Sequence, residues 1–140
     1  MGSELLNAME ISASGMRTQG TRIRVITENV ANADTTGTKP GEDPYRRQTI
    51  SFKNEMDKEL GVKKVSVDQI GQDRKSDFIL KYLPDHPAAD DNGYVKFPNV
   101  STLVELMDMK EAQRSYEANL GMVEQSRSMM MRTIDMLRGN

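Results

Sequence analysis

The C-terminal part of the sequence carries the strongest hydrophobic periodicity. Between residues 106 and 137, steps of three and four residues in alternation reach ten positions, of which eight are apolar. Such steps average 3.5 residues, the repeat that keeps one narrow stripe on one side of a helix over several heptads. The pattern predicts a long helix with a partner-facing stripe, the C-terminal stripe. Its members are Leu106, Met109, Gln113, Tyr116, Leu120, Val123, Arg127, Met130, Ile134 and Leu137.

Residues at both ends of this stripe favour a helix of the same extent. Pro98 and Asn99 precede Ser101, a residue type preferred as a helix N-cap, and Gly139 follows the stripe as a stop signal. At about 1.5 Å per residue, residues 101–138 would extend roughly 57 Å. Because an ordinary helix has only about 11 to 12 residues, a helix this long is expected to have something packed along it.

A weaker version of the same alternation occurs near the N-terminus. We expect a helix from about residue 3 or 4 to residue 33, ended by the turn-forming residues 34–37. Gly15 and Gly20 each disfavour a helix by about 1 kcal/mol relative to Ala, so this helix needs tertiary or quaternary contacts. Small side chains on or beside the N-terminal stripe would let another backbone approach. The stripe comprises Leu6, Met9, Ala13, Met16, Gly20, Ile23, Thr27 and Val30.

The segment between the helices reads as loops and short strands. Glycines and prolines predict a loop at residues 34–44, and alternating or apolar runs predict strands at 45–53, 64–70, 78–83 and 94–97. Residues 54–61 are expected to be irregular or helical. The third strand is apolar except at Lys81, so we expect burial on much of both faces. A segment of this size has little core of its own and should lean on the helices or on neighbours.

These elements predict an α+β fold with two long terminal helices that pair as an antiparallel coiled-coil hairpin around a small β-rich insert. The expected segments are an N-terminal helix and turn at residues 1–36, a β-rich middle segment at 37–98 and a C-terminal helix at 99–140. Periodicity alone also allows a hairpin that needs no partner, and it does not decide whether the first helix packs on the second helix of its own chain. Apolar residues off both stripes favour contacts with partners. They are Leu5, Ile26, Val104, Met107, Met122, Met129 and Met131.

Composition supports the interpretation of the stripes as assembly surfaces. Only 36% of the 140 residues are hydrophobic, with three Phe and no Trp, which provides a thin core for this length. Seven of the eleven Met lie at or after Met107, where flexible thioethers suit irregular partner surfaces, although core filling is their usual role. The candidate assembly residues are Leu6, Met9, Ala13, Met16, Ile23, Val30, Leu106, Met109, Tyr116, Leu120, Val123, Met130, Ile134 and Leu137.

Charge and composition exclude several classes of partner. The formal net charge is −2, and no cluster of Lys and Arg is interleaved with aromatic residues, so we expect no nucleic acid partner. No apolar run reaches the roughly 18 to 20 residues of a membrane span, so neither membrane insertion nor a general secretory signal is expected. A helix lying on a membrane surface would need a basic polar face, which Glu111, Glu117, Glu124 and Asp135 oppose.

His86 is the one residue that could support an enzymatic interpretation. It is the only histidine, and Asp85, Asp90 and Asp91 lie close to it in the sequence. A nucleophile needs both a base and an orienting group, and the spacing of these acids does not match a calcium-binding loop. We therefore expect a turn here, with no catalytic residue, metal site or cofactor. An enzyme that uses His86 with Asp85 or Asp90 is the alternative.

Four short motifs resemble one protein family. Residues 29–36 resemble the signature that ends the N-terminal helix of the axial proteins of the bacterial flagellum, namely the rod, hook and hook-associated proteins. The runs 44–47, 86–87 with 90–99, and 115–119 are similar to those of the proximal rod branch, whereas residues 37–43 differ from its loop. The residues that match the motifs are Asn29, Asn32, Thr35, Thr36, Tyr45, Arg46, Gly93, Tyr94, Pro98, Asn99, Tyr116 and Asn119.

The resemblance implies a non-enzymatic structural subunit of the flagellar basal-body rod, a helical drive shaft that transmits torque through the periplasm. The terminal helices would form an inner coiled-coil layer and would be disordered before assembly. Expected partners are other copies of the chain, the other proximal rod proteins, the distal rod protein and the flagellar type III apparatus, which would export the chain without a cleaved signal peptide. A soluble helical-hairpin interaction module or adaptor is the alternative, and it predicts a stable monomer or dimer.

Overall fold

The computed structural model describes residues 2–139. These residues form helix α1 (Gly2–Ala31), strands β1 (Gln48–Asp57), β2 (Val62–Gln72), β3 (Ile79–Tyr82) and β4 (Tyr94–Phe97), and helix α2 (Thr102–Arg138). The strands make two sheets of two strands each, β1 with β2 and β3 with β4. Two long helices thus flank a small β-rich insert, which confirms the predicted α+β fold class.

Helices α1 and α2 of the same chain lie side by side and run antiparallel. Arg22 forms an ion pair with Glu111 at 3.5 Å. Gly15 lies one and a half to two turns before Arg22 in α1, and it contacts Asn119, which follows Glu111 in α2. The residue numbers of the contacting partners therefore increase along one helix as they decrease along the other. The first helix packs on the second helix of its own chain, a point that periodicity alone does not decide.

The ends of α2 follow the sequence signals closely. The carbonyl of Ser101 accepts a hydrogen bond from the backbone N–H of Glu105 at 3.0 Å, so Ser101 occupies the predicted N-cap position. Gly139 has a φ of 62°, and its N–H donates to the carbonyl of Asp135 at 3.3 Å. A left-handed glycine immediately after a helix is a common C-terminal cap because it has no Cβ to clash.

The predicted irregular or helical piece at residues 54–61 is wrong. Strand β1 continues to Asp57, and only residues 58–61 form a turn. The Asp57 carboxylate accepts from the N–H groups of Glu59 and Leu60, and Gly61 has a φ of 66° that lets the chain reverse. A connection this short joins only antiparallel strands, so β1 and β2 form a longer hairpin than the sequence indicated.

The third strand is shorter and more exposed than expected. Strand β3 pairs antiparallel with β4, with Ile79 opposite Phe97 and Tyr82 opposite Tyr94. All four β3 residues are exposed, whereas Val95 and Phe97 of β4 are buried with Ala88. The prediction of burial on both faces fails because a sheet of two strands has too few neighbours to cover both faces of an apolar run.

The chain divides into two compact units. The first unit contains the described parts of residues 1–23, 51–69 and 110–140, and the second contains residues 24–50 and 70–109. The predicted segments 1–36, 37–98 and 99–140 stay a prediction, and residues 1 and 140 at their ends lie outside the described residues. Among the described residues, Ala112 is the only buried hydrophobic residue of the first unit. The second unit has Val25, Ile26, Ala88, Val95, Phe97 and Val100.

Candidate assembly site

In the first unit, the helices face each other with small and polar residues. Ala112 and Ser126 of α2 are buried, and Asn119, midway between them, contacts Gly15 of α1. On α1, the buried hydroxyl of Thr18 donates to the carbonyl of Gly15 at 2.9 Å, so its own helix satisfies it. Close approach of small side chains therefore helps to hold this part of the helix pair together.

Several large apolar side chains of the same unit are exposed. On α2, Leu120 is 37% exposed and Leu137 is 83% exposed, and α1 exposes Leu6 and Ile11. A helix pair that is complete by itself buries its large apolar residues and exposes its small polar ones. In this unit several large apolar residues are exposed while Ser12, Ser14 and Ser126 are buried, a pattern typical of surfaces that bind partners. The other exposed apolar residues of α2 in this unit are Met122, Met129, Met131, Ile134 and Met136.

The structure places none of the fourteen candidate assembly residues in a fully buried position. The exposed ones are Leu6, Leu106, Leu120, Ile134 and Leu137. The half-buried ones are Met9, Ala13, Met16, Ile23, Val30, Met109, Tyr116, Val123 and Met130. All are thus available, wholly or in part, for contacts with other chains, and their role in assembly stays a prediction.

A hydrogen-bond network in the second unit is centred on Asn29, which is 1% exposed. Its Oδ1 accepts from the hydroxyl of Tyr45 and from the N–H of Gln48, both at 2.8 Å. Its Nδ2 donates to the carbonyl of Gln48 at 2.9 Å and to a carboxylate oxygen of Glu105 at 3.4 Å. Burial, with the nearby charges of Glu28 and Glu105, raises the pKa of Tyr45, so its hydroxyl remains a donor.

An ion pair extends this network to the loops between the strands. Glu105 is 1% exposed and pairs with the guanidinium of Arg47. The N–H of Arg47 donates to Oδ1 of Asn99 at 2.8 Å, and Nδ2 of Asn99 donates to the carbonyls of Asp73 and Ser76, each at 3.1 Å. The network thus joins the end of α1, the start of α2 and the start of β1.

Comparison with known proteins gives matches at both ends of the chain. The family profile described as "Flagella basal body rod protein" matches residues 9–39, and "Flagellar basal body rod FlgEFG protein C-terminal" matches residues 91–136. The flagellar basal-body rod protein FlgC of Agrobacterium fabrum is 50% identical over 133 residues, 95% of each chain. The chain belongs to the FlgC family of flagellar basal-body rod proteins.

More distant FlgC proteins are similar over the same extent. The Salmonella typhimurium protein is 38% identical, over 93% of this chain and 96% of its own length. The Bacillus subtilis protein is 34% identical, over 92% of this chain and 95% of its own length. Membership of the FlgC family makes this chain a structural subunit of the flagellar basal-body rod and confirms the resemblance inferred from its motifs.

Several of the FlgC-like motif residues meet in the network of the second unit. Asn29, Tyr45 and Asn99 are part of it, and Pro98 beside Asn99 is also buried. Arg46 donates to the carbonyl of Asp73 at 3.2 Å, and its guanidinium carbon lies 4.4 Å from the centre of the Phe78 ring. These polar residues therefore fix the fold where the two helices meet the strands.

Other motif residues shape turns of this FlgC-family chain. Gly93 has a φ of 86°, and a Cβ there would lie 2.8 Å from Cε2 of Tyr82, which packs edge to face with Tyr94. After α1, the hydroxyl of Thr35 donates to Oδ1 of Asn32 at 3.1 Å.

Two further motif residues lie on α2 in the first unit. Asn119 lies against Gly15, and Tyr116 borders a cavity with Ala13, Met16 and Gly20.

His86 belongs to a turn in the second unit. Its Nδ1 accepts from the N–H of Ala88 at 3.0 Å, and its Nε2 lies 3.4 Å from the hydroxyl of Thr36. In the part of the chain that the structure describes, no group of three or more His, Asp and Glu side chains is placed to hold a metal ion. No helix formed by residues 2–139 is long and apolar enough to cross a membrane.

Two features of the site escaped the sequence analysis. The sequence does not single out Glu105, because a charged residue in the first turn of a helix is usually exposed. The position of Glu105 seven residues before Ala112 places it on the same side of α2 and is the signal that could have found it. The two apolar stripes also leave out the exposed line of Met122, Met129 and Met136, which are likewise seven residues apart.

Proposed function

We propose that this rod subunit assembles helically through its two terminal helices and forms part of the shaft that transmits motor torque. The observation that carries the proposal is the exposure of large apolar residues on the helices of the first unit, where Ala112 is the only buried hydrophobic residue among those described. A surface of this kind is stabilised when other chains cover it.

Long helices suit the mechanical role. Helix α2 has 37 residues, which gives it a length of about 55 Å. Contacts between different surfaces of identical subunits, when they do not close into a ring, generate a helical filament. Helices packed side by side in such a filament resist twisting because many close-packed contacts must be lost together.

The proposed partners are other copies of the chain, the other proximal rod proteins and the distal rod protein, within the periplasmic part of the basal body. We expect the flagellar type III apparatus to export the chain unfolded, without cleavage of a signal peptide. Gly15, Gly20 and Gly121 lie inside the helices and weaken them, which favours folding of the terminal helices on assembly. In this role the chain is not an enzyme and needs no cofactor, nucleic acid or membrane insertion.

The test is a set of aspartate substitutions on the exposed face of α2, made in a motile strain whose own copy of the gene is deleted. Leu120→Asp and Ile134→Asp should each abolish swimming, because an unpaired charge buried between subunits is unfavourable by several kcal/mol. Ser128→Asp, an exposed polar position of the same helix, is the matched control and should leave swimming intact.

A further variant separates the rod subunit from an enzyme. His86→Ala should leave assembly and swimming little changed, whereas an enzyme that depends on His86 would lose its function. Wild-type swimming by both aspartate variants, with the chain present in isolated basal bodies, would show that this face of α2 does not take part in assembly.

A further inference from the structure

The C-terminal half of α2 carries two separate lines of exposed side chains. The ridge consists of Leu120, Arg127 and Ile134, and the methionine line consists of Met122, Met129 and Met136. Each methionine follows a ridge residue by two positions. Because successive residues of a helix are about 100° apart, the two lines are about 160° apart around the axis. They therefore lie on nearly opposite sides of α2.

The methionine line borders an open groove of about 410 Å³. Met129 is 47% exposed and Met136 is 73% exposed. Methionine is flexible and polarizable, so it adapts to the shape of an inserted apolar side chain. Besides these two methionines, the groove is lined by Glu4, Leu5, Arg132 and Thr133.

Charges on the two surfaces are complementary. Arg127 lies midway between the two aliphatic residues of the ridge, and Glu4 lines the groove. Neither of them forms an ion pair with any residue from 2 to 139. The groove also carries Arg132, and Asp135 adjoins Ile134 of the ridge. A ridge from another copy thus offers this groove aliphatic side chains together with charges of the opposite sign.

We propose that the ridge of one copy docks into the methionine groove of a second copy, where Arg127 pairs with Glu4. The inference rests on the proposed assembly and adds which two surfaces meet. Because the ridge and the groove are different surfaces on opposite sides of one helix, docking leaves a free ridge on one copy and a free groove on the other. A contact of this kind repeats from copy to copy.

Disulfide crosslinking tests the pairing directly, because the chain has no native cysteine. Met129→Cys and Ile134→Cys are introduced into separate, differently tagged copies, which are co-expressed in a strain that lacks its own gene. Basal bodies are isolated and oxidised. We expect dimers that contain one copy of each variant and no dimers of one variant alone. Ser128→Cys, which lies between the two lines, is the control and should crosslink with neither.

The outcomes separate this inference from the proposed function. Variants that enter basal bodies but form only dimers of one variant alone, or none, overturn the docking and leave the rod role standing. A tagged wild-type copy, expressed in the same strain, is the reference for the rod role, and its absence from basal bodies would overturn that role itself.

A charge exchange tests the same contact without cysteines. Glu4→Arg and Arg127→Glu should each reduce swimming, and the double variant should recover it, because each copy then supplies the reversed pair. A double variant that swims no better than either single variant contradicts the docking.

Discussion

Gly15 of α1 lies directly against the side-chain amide of Asn119 of α2. A Cβ at residue 15 would lie 2.6 Å from Nδ2 of Asn119, closer than real Cβ contacts. A Cβ added at Gly20, less than two turns further along α1, would have no atom within 4 Å beyond its own stretch of helix. The same substitution at the two glycines therefore has opposite expected effects.

Gly15→Ala should destabilise the helix pair by about 1–3 kcal/mol because the added methyl group forces the helices or Asn119 to move. Gly20→Ala should instead stabilise it by about 0.5–1 kcal/mol through helix propensity. Thermal unfolding followed by far-UV circular dichroism, in a buffer with trimethylamine N-oxide to favour the folded state, measures both. Recovery in the double variant Gly15→Ala with Asn119→Ala would locate the clash, and equal stabilisation by both single variants would refute it.

Removal of the Asn29 side chain should destabilise the second unit. Asn29→Ala leaves the Tyr45 hydroxyl and both backbone groups of Gln48 without their partner, and we expect a loss of about 2–4 kcal/mol in the free energy of unfolding. Urea unfolding followed by tyrosine fluorescence reports this unit because Tyr45 lies in the network. Asn54→Ala, an exposed position of β1, should change the same quantity by less than about 0.5 kcal/mol. Similar values for the two variants would mean that the network contributes little.

Acid should lower the stability of the first unit because it protonates the two carboxylates that pair with Lys64. Its ammonium group contacts the carboxylates of Asp57 at 2.6 Å and Glu10 at 3.3 Å and holds the pKa of each below its usual value, 3.8 and 4.5 respectively. A carboxyl group with a lowered folded-state pKa stabilises the fold above its unfolded-state pKa. That stabilisation is lost as the pH falls through the folded-state value.

The variant Lys64→Met removes this linkage. The difference in melting temperature between wild type and variant should be largest near neutral pH and should shrink as the pH falls below about 4.5. NMR titration should show the pKa values of Glu10 and Asp57 rising toward their usual values in the variant. A difference in melting temperature that does not depend on pH would exclude a stabilising role for these ion pairs.

Hydrophobic periodicity predicted the helices because their apolar stripes follow a helical repeat. The sequence also predicted β4 at residues 94–97, where it lies, because Gly93 and Pro98 bound it. It did not find the surface that joins the helices in the first unit. Ala112, Asn119 and Ser126 are small or polar, and a search for large apolar residues passes over them. The residues of the C-terminal stripe, which periodicity does identify, are instead half-buried or exposed.

The remaining differences have related causes. Asn54 and Glu55 extend β1 although they are poor strand formers, because backbone pairing in a hairpin does not require apolar side chains. The burial of Glu105 depends on Arg47 and Asn29, which are distant in the sequence. Sequence patterns register local repeats, and contacts of this kind form only when distant segments meet.

The central claim is that assembly completes the helices of the first unit, and amide hydrogen exchange tests it most directly. In the isolated chain, the amides of α2 at residues 110–137 should exchange fast, whereas those near Asn29 and Val95 in the second unit should be protected. In isolated basal bodies both regions should be protected. Strong protection of residues 110–137 in the isolated chain, equal to that near Val95, would contradict the account.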